Sequence, residues 1–154
     1  ATSLSPGTIG QIFMGLVTTP PMPGDASYDS YVSESEAIFT GLKRRALKLT
    51  EALNAIPGIR CQPIEGAMYA FPALDLPPKA VQEAHRRECE PDVMWCLELL
   101  EATGVVTVPG SGFGQEPDTY HFRTTILPPD DLLEDMIERV TAFQADFLSK
   151  YGDD

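Results

Sequence analysis

Apolar and polar positions follow two different periods along this chain, and the changes of period mark its elements. Over 27–56, Ile38, Leu42, Ala46, Leu49, Leu53 and Ile56 recur at steps of three or four, which predicts one long amphipathic helix. Ser33 and Glu36 have capping-box spacing, with Ser27 and Ser30 as earlier alternative starts, and Pro57-Gly58 ends the pattern. Ile9, Ile12, Phe13, Leu16 and Val17 predict a shorter helix packed on something apolar. Three prolines and a glycine between Thr19 and Gly24 stop it and form a stiff linker, so this helix is expected in a packing unit of its own. Pro91 opens a further helix that runs to Thr103 with Gly104 as its stop. Its expected buried face is Val93, Met94, Leu97 and Leu100, with Trp95 as a core or interface anchor. From Asp131 a last helix carries Leu133, Met136, Ile137, Val140, Phe143, Phe147 and Leu148, and is expected to fray over 151–154. Residues 79–88 read as a short polar helix or a lid-like excursion, exposed by their charges.

Strand-like runs lie between the helices. Ile59-Arg60-Cys61 reads as a short edge strand, and Ala67–Phe71 as a strand whose ladder Pro72 limits. Val105–Val108 and Thr119–Ile126 form a strand–loop–strand unit around the glycine-rich Pro109–Gly114. In the second run Tyr120, Phe122, Thr124 and Ile126 point one way, and His121, Arg123 and Thr125 the other. The expected fold is therefore α+β: a small antiparallel or mixed sheet with helices packed on one face, a two-layer sandwich.

The length of 154 residues suits one ordinary domain. No run approaches the ~20 apolar residues of a membrane span. The N-terminal six residues lack the basic start of a signal peptide, and the first residue is not methionine, so the chain is expected to be a processed piece or an internal segment. A formal net charge of −12 with only 11 basic residues argues against nucleic acid as a partner. The acidic residues and the basic run Lys43–Lys48 read as solvated surface. Cys61, Cys89 and Cys96 are odd in number and lack zinc spacing, and His85 and His121 have no second histidine at ligand spacing. No metal site is expected, and a reducing compartment is the default.

Arg123 is the candidate for binding. An arginine at the centre of a strand, flanked on its face by His121 and Thr125, presents a planar fork suited to a carboxylate. A solvent-facing arginine or one paired with a nearby acid is the structural alternative. Pro109–Gly114 is not a phosphate loop: it lacks G-K-[ST], and a strand follows where a helix N-terminus is required. Its glycines suit a tight connection near a ligand or neighbouring domain. No Ser/His/Asp or Cys/His constellation is assembled by local motifs, so no catalytic residue is assigned.

Several stretches, taken in order and at their intervals, closely resemble alanine aminotransferases. They are Cys61-x-Pro63-x-x-Gly66-Ala67-Met68-Tyr69, Phe71-Pro72, Pro91-Asp92, Leu99-Leu100-Glu101-x-Thr103-Gly104, PGSGFGQ from Pro109 to Gln115, and YHFRxTILPP from Tyr120 to Pro129. The resemblance runs from about Ser5 to Tyr151. It implies the C-terminal small domain (25–154) of a fold-type I enzyme, preceded by the last helix and linker of a large cofactor domain (1–24). The implied reaction uses pyridoxal phosphate to move the amino group of L-alanine to 2-oxoglutarate, giving pyruvate and L-glutamate, in a homodimer. Arg123 would clamp the substrate α-carboxylate, and Gly66 would sit at a turn where backbone approaches substrate. Ser3–Pro6 would approach the active site near the dimer interface.

The family's cofactor lysine, in a Ser-Lys motif followed by an arginine, would lie upstream of the matched region. Lys43, Lys48, Lys79 and Lys150 do not match it; Ser149-Lys150 is a chance pair with no arginine after it. The chain alone is thus expected to be inactive and to lack covalent cofactor. The expected location is cytoplasmic, with the mitochondrial matrix as the alternative. Another aminotransferase, an aminocyclopropane carboxylate synthase-like enzyme, or a stand-alone carboxylate-binding or interaction module are the competing readings.

Overall fold

A computed structural model describes residues 7–152, so the expectation for Ser3–Pro6 lies outside the described residues. The chain divides into two compact units, 1–40 and 41–154. In the first, α1 (Thr8–Thr18) occupies the span its apolar spacing predicts, and Thr18 Oγ closes its last turn on the Met14 carbonyl at 2.9 Å. None of its residues is buried; Ile12, Phe13 and Leu16 are all exposed. The linker turns on Asp25, whose carboxylate accepts the Met22 N–H at 2.8 Å.

Helix α2 (Tyr28–Asn54) starts just after Ser27, not at the Ser33 capping box. Its stripe is buried at Ala46, Leu49 and Leu53, but Ile38 is exposed with Phe39, because within the first unit no element covers them among the described residues. The basic run is less idle than its charges suggested. Arg44 pairs with Asp130 at 2.6 Å, Lys48 pairs with Glu134, and Arg45 Nε donates to the Ile126 carbonyl at 2.9 Å.

The second unit is the expected two-layer α+β arrangement. Strands β2 (Tyr69–Ala70), β4 (Val108–Pro109) and β5 (Phe122–Thr125) form an antiparallel sheet with β5 central; β1 (Ile59–Arg60) and β3 (Ala73–Leu74) form a two-stranded one. A bridge between Ala73 and His121 joins the two. The pairs Tyr69↔Thr125, Ala70↔Thr124 and Ala73↔His121 keep one register across Pro72, whose carbonyl accepts the Phe122 N–H at 3.1 Å. Proline at that point removes a donor, so one long ladder appears as two short strands. The expected strand Val105–Val108 shrinks to its last residue plus Pro109, because the Thr103 hydroxyl captures the Val105 N–H at 3.1 Å and Val106 points to solvent.

Helices cover one sheet face. Helix α4 (Pro91–Thr103) ends as predicted, with Gly104 left-handed at φ 75° and its N–H on the Leu100 carbonyl. Its buried face differs from the expected one: Leu97 and Leu100 are exposed, while Asp92, Met94, Trp95, Cys96 and Leu99 are buried. Trp95 stacks on Phe122 at 4.8 Å and meets Phe143 edge-on at 5.5 Å. Its indole N–H donates to Gln144 at 2.9 Å, and Gln144 donates to the Pro57 carbonyl at 3.1 Å.

Helix α3 (Pro78–Arg86) is no loose excursion, since Ala80 and Ala84 are fully buried beneath its charges. Helix α5 (Asp130–Tyr151) does not fray at Tyr151, which is buried and donates its hydroxyl hydrogen to Glu98 at 2.9 Å.

Candidate functional site

The alternation along β5 places Phe122, Thr124 and Ile126 in the core and turns His121, Arg123 and Thr125 to the open face. The Arg123 guanidinium carbon lies 4.6 Å from the Tyr69 ring centroid and 4.8 Å from that of Phe113. Each contact is worth about 0.5–2 kcal/mol, depending on how dry it is. Neither ring contact engages a guanidinium N–H in a hydrogen bond to an oxygen acceptor. Arg123 makes no hydrogen bond or ion pair among the described residues, so the structural alternative of an acid-paired strand arginine does not hold. A hollow of about 850 Å³ along α4 and α5 differs in this respect. Its cations are already paired, Arg87 and Lys150 with Glu98 and Arg139 with Asp135.

Sequence reasoning did not assign Tyr69 and Phe113 to the site. Alternation within AMYAF, with Ala70 buried, was the signal for Tyr69 and Phe71 on the open face. Phe113 ends a short 3-10 turn, Gly110–Phe113, that replaces the expected irregular loop. This turn cannot cradle an anion with its leading amides. Gly110 N–H donates to the His121 carbonyl at 2.8 Å, and Ser111 N–H to Asp92 at 2.7 Å. Gly110 is required by close approach: a Cβ there would lie 2.3 Å from Gln115 Oε1 and 2.8 Å from His121 Cβ.

Gly66 lines a hollow of about 320 Å³ with Tyr69, Phe71 and His121. Arg123 is not on its lining, and Tyr69 is the residue the two share. A Cβ at Gly66 would meet nothing within 4 Å, so packing within the chain does not demand glycine there. Phe71 stacks on the His121 ring at 4.9 Å and meets Phe113 edge-on at 5.9 Å, joining hollow and collar into one aromatic surface.

Other chemistry is muted. Burial pushes the Cys96 thiol up to about 11 and raises Cys61 as well, which holds both protonated. No group of three metal-ligating side chains occurs among the described residues. The site does not fit pyridoxal phosphate unaided, because no lysine lines the hollow. Lys48 pairs with Glu134, Lys150 with Glu98, Lys79 donates to the Gly152 carbonyl, and Lys43 is exposed on α2.

The fold is that of an aminotransferase. The alanine aminotransferase of Pyrococcus furiosus superposes with a TM-score of 0.60 and 32% identity over 76% of this chain and 26% of that one. Sequence narrows the class. Glutamate–glyoxylate aminotransferase 2 of Arabidopsis thaliana is 48% identical over 151 residues, covering 98% of this chain and 31% of the relative. Mitochondrial alanine aminotransferase 1 of the same plant is 49% identical over 144 residues, covering 94% and 26%. The chain matches the C-terminal portion of alanine aminotransferases and spans about three-tenths of the length of the curated relatives it matches. No family model matches it.

Proposed function

We propose that this chain supplies the carboxylate-binding part of a pyridoxal-phosphate-dependent alanine aminotransferase, converting L-alanine and 2-oxoglutarate to pyruvate and L-glutamate. The observation that carries the reading is Arg123, a cation held between two rings with its donors unengaged. Both amino-acid and 2-oxo-acid substrates bear an α-carboxylate. A guanidinium fixed in one plane receives both oxygens of that group and so orients the carbon beside it. Gly66, with open space where a side chain would be, lets backbone approach the substrate. No lysine lines the hollow, so no catalytic residue is assigned to this chain; in this reading the cofactor's lysine would lie upstream of the matched region, as the resemblance implies.

In this reading residues 1–24 are the last helix and linker of the large domain, residues 25–154 are the small domain, and the whole protein is a homodimer. Its compartment is the cytosol, with the mitochondrial matrix as the alternative that a mitochondrial relative supports. A second reading has its own observation: similarity to a glutamate–glyoxylate aminotransferase favours glyoxylate as an amino acceptor.

The test is Arg123→Ala in the full-length holoenzyme. The expected loss in kcat/KM is about 2–5 kcal/mol, the scale for stranding the partner of a buried charged pair. Wild-type turnover and Michaelis constants would refute the clamp. Comparing pyruvate with glyoxylate as acceptor separates the two substrate readings.

A further inference from the structure

One side chain on the same face has its hydrogen-bonding role dictated from inside the protein. Asp92 is fully buried in the first turn of α4. Its Oδ2 accepts the Ser111 N–H at 2.7 Å and Gln115 Nε2 at 2.8 Å. A carboxylate has no hydrogen to give, so the end of Gln115 that faces it must be the NH₂. The carbonyl end, Oε1, then faces His121 Nδ1 at 2.9 Å and can only accept. Nδ1 must therefore carry a hydrogen, and in the neutral ring that leaves Nε2 with a lone pair.

The surroundings hold this arrangement in place. Gly110 leaves room for Gln115 Oε1, 2.3 Å from where a Cβ would stand. Phe71 lies parallel to the His121 ring, with 5° between the planes, and fixes its tilt. Nε2 makes no hydrogen bond among the described residues, and it is not sealed away as Asp92 Oδ1 is. The ring lines the hollow with Gly66 and Tyr69.

We propose that His121 is a second ligand-positioning residue, locked by Asp92 and Gln115 as the Nδ1–H tautomer so that Nε2 accepts a hydrogen bond from an N–H donor on the carboxylate ligand held by Arg123. The lock stands on geometry alone; the ligand's identity rests on the Arg123 reading. Nitrogen NMR on the ¹⁵N-labelled chain at mildly alkaline pH tests the lock, and the chain has only two histidines, so His85 serves as the internal control. The expected pattern for His121 is a protonated Nδ1 and a pyridine-type Nε2. A protonated Nε2 overturns the proposal without any variant. In Gln115→Leu, with the fold checked by fluorescence of the single tryptophan, the fixed tautomer is lost; its persistence would also overturn the relay.

The ligand role is read by titrating the chain with L-alanine and with propanoate, which differ in the ammonium donor. Both should shift the Arg123 Nε resonance, and only L-alanine should shift His121 Nε2. If Arg123 responds while His121 ignores L-alanine, His121 has no ligand role and the Arg123 reading stands. If Arg123 responds to neither, the carboxylate reading fails and the ligand role falls with it.

Discussion

Replacing Gly110 with alanine probes the support beneath the site rather than the site itself. The added methyl would stand 2.3 Å from Gln115 Oε1, 2.8 Å from His121 Cβ and 3.0 Å from the His121 carbonyl oxygen. The backbone at His121, just before β5, is held in place, since Gly110 N–H is bonded to that same carbonyl at 2.8 Å. Gln115 must swing away, and it then releases Asp92. Overpacking of this kind costs about 1–3 kcal/mol. A lost bond to a buried carboxylate adds about 1.5–3 kcal/mol, so partial relaxation puts the total at about 2–5 kcal/mol. Urea unfolding followed by Trp95 fluorescence should show the midpoint lowered by roughly 1–2 M. Gly66→Ala is the control: its Cβ meets nothing within 4 Å, so its midpoint should match wild type. A Gly110→Ala midpoint within experimental error of wild type would mean that the Gln115–His121 packing is not as described.

Gln144→Leu should cost about 1–3 kcal/mol in the same unfolding assay, because it strands the buried Trp95 indole N–H, whereas the Pro57 carbonyl it also releases belongs to an exposed residue; a neutral outcome would show that water reaches the indole. The Arg86 and Arg87 guanidiniums hold the Glu83 carboxyl down to about 2. A depressed folded-state value stabilises the protein above the ordinary carboxylate range, and that contribution is lost as pH falls from about 4.5 to about 2. Glu83→Gln should therefore flatten part of the acid limb of stability against pH, and an unchanged limb would contradict the pairing. The exposed Ile9, Ile12, Phe13, Leu16 and Val17 of α1 should drive self-association at high concentration. A strictly monomeric chain by light scattering would count against this, and Phe13→Ser should reduce association where it occurs.

What could be read from the sequence follows a physical divide. A strand has only two faces, so one buried residue assigns all its neighbours. Phe122 in the core placed Arg123 outside, and the structure agrees. Helix α4 offered no such constraint. Val93, Met94, Trp95, Cys96, Leu97, Leu99 and Leu100 surround it with apolar side chains, so periodicity selects no face. Trp95 selects it, through contacts with Phe122, Phe143 and Gln144 that come from distant segments. The stripe of α2 failed at Ile38 for a related reason, since amphipathicity states what a helix can bury, not where a partner exists. The Arg123 collar was hidden in the same way. Tyr69 and Phe113 reach it from two other parts of the chain; alternation puts Tyr69 on the open face, but nothing local pairs either ring with Arg123.

Asp92 shows why the support for the site was harder to read than the site. It is one of 23 acidic residues, and most of the others are surface. Taking a carboxylate wholly out of water is tolerated only where hydrogen bonds and dipoles replace the solvent. Asp92 receives the amide of Ser111 and the NH₂ of Gln115 and sits in the first turn of α4, where the helix dipole favours negative charge. Both donors come from the glycine-rich PGSGFGQ stretch, whose composition suggests a loop turned toward a ligand. The amides of Gly110 and Ser111 instead point inward, to the His121 carbonyl and to Asp92, while the Phe113 ring lies against Arg123. In the proposed reading the loop would thus act on a ligand indirectly, through the cation and the imidazole it packs against.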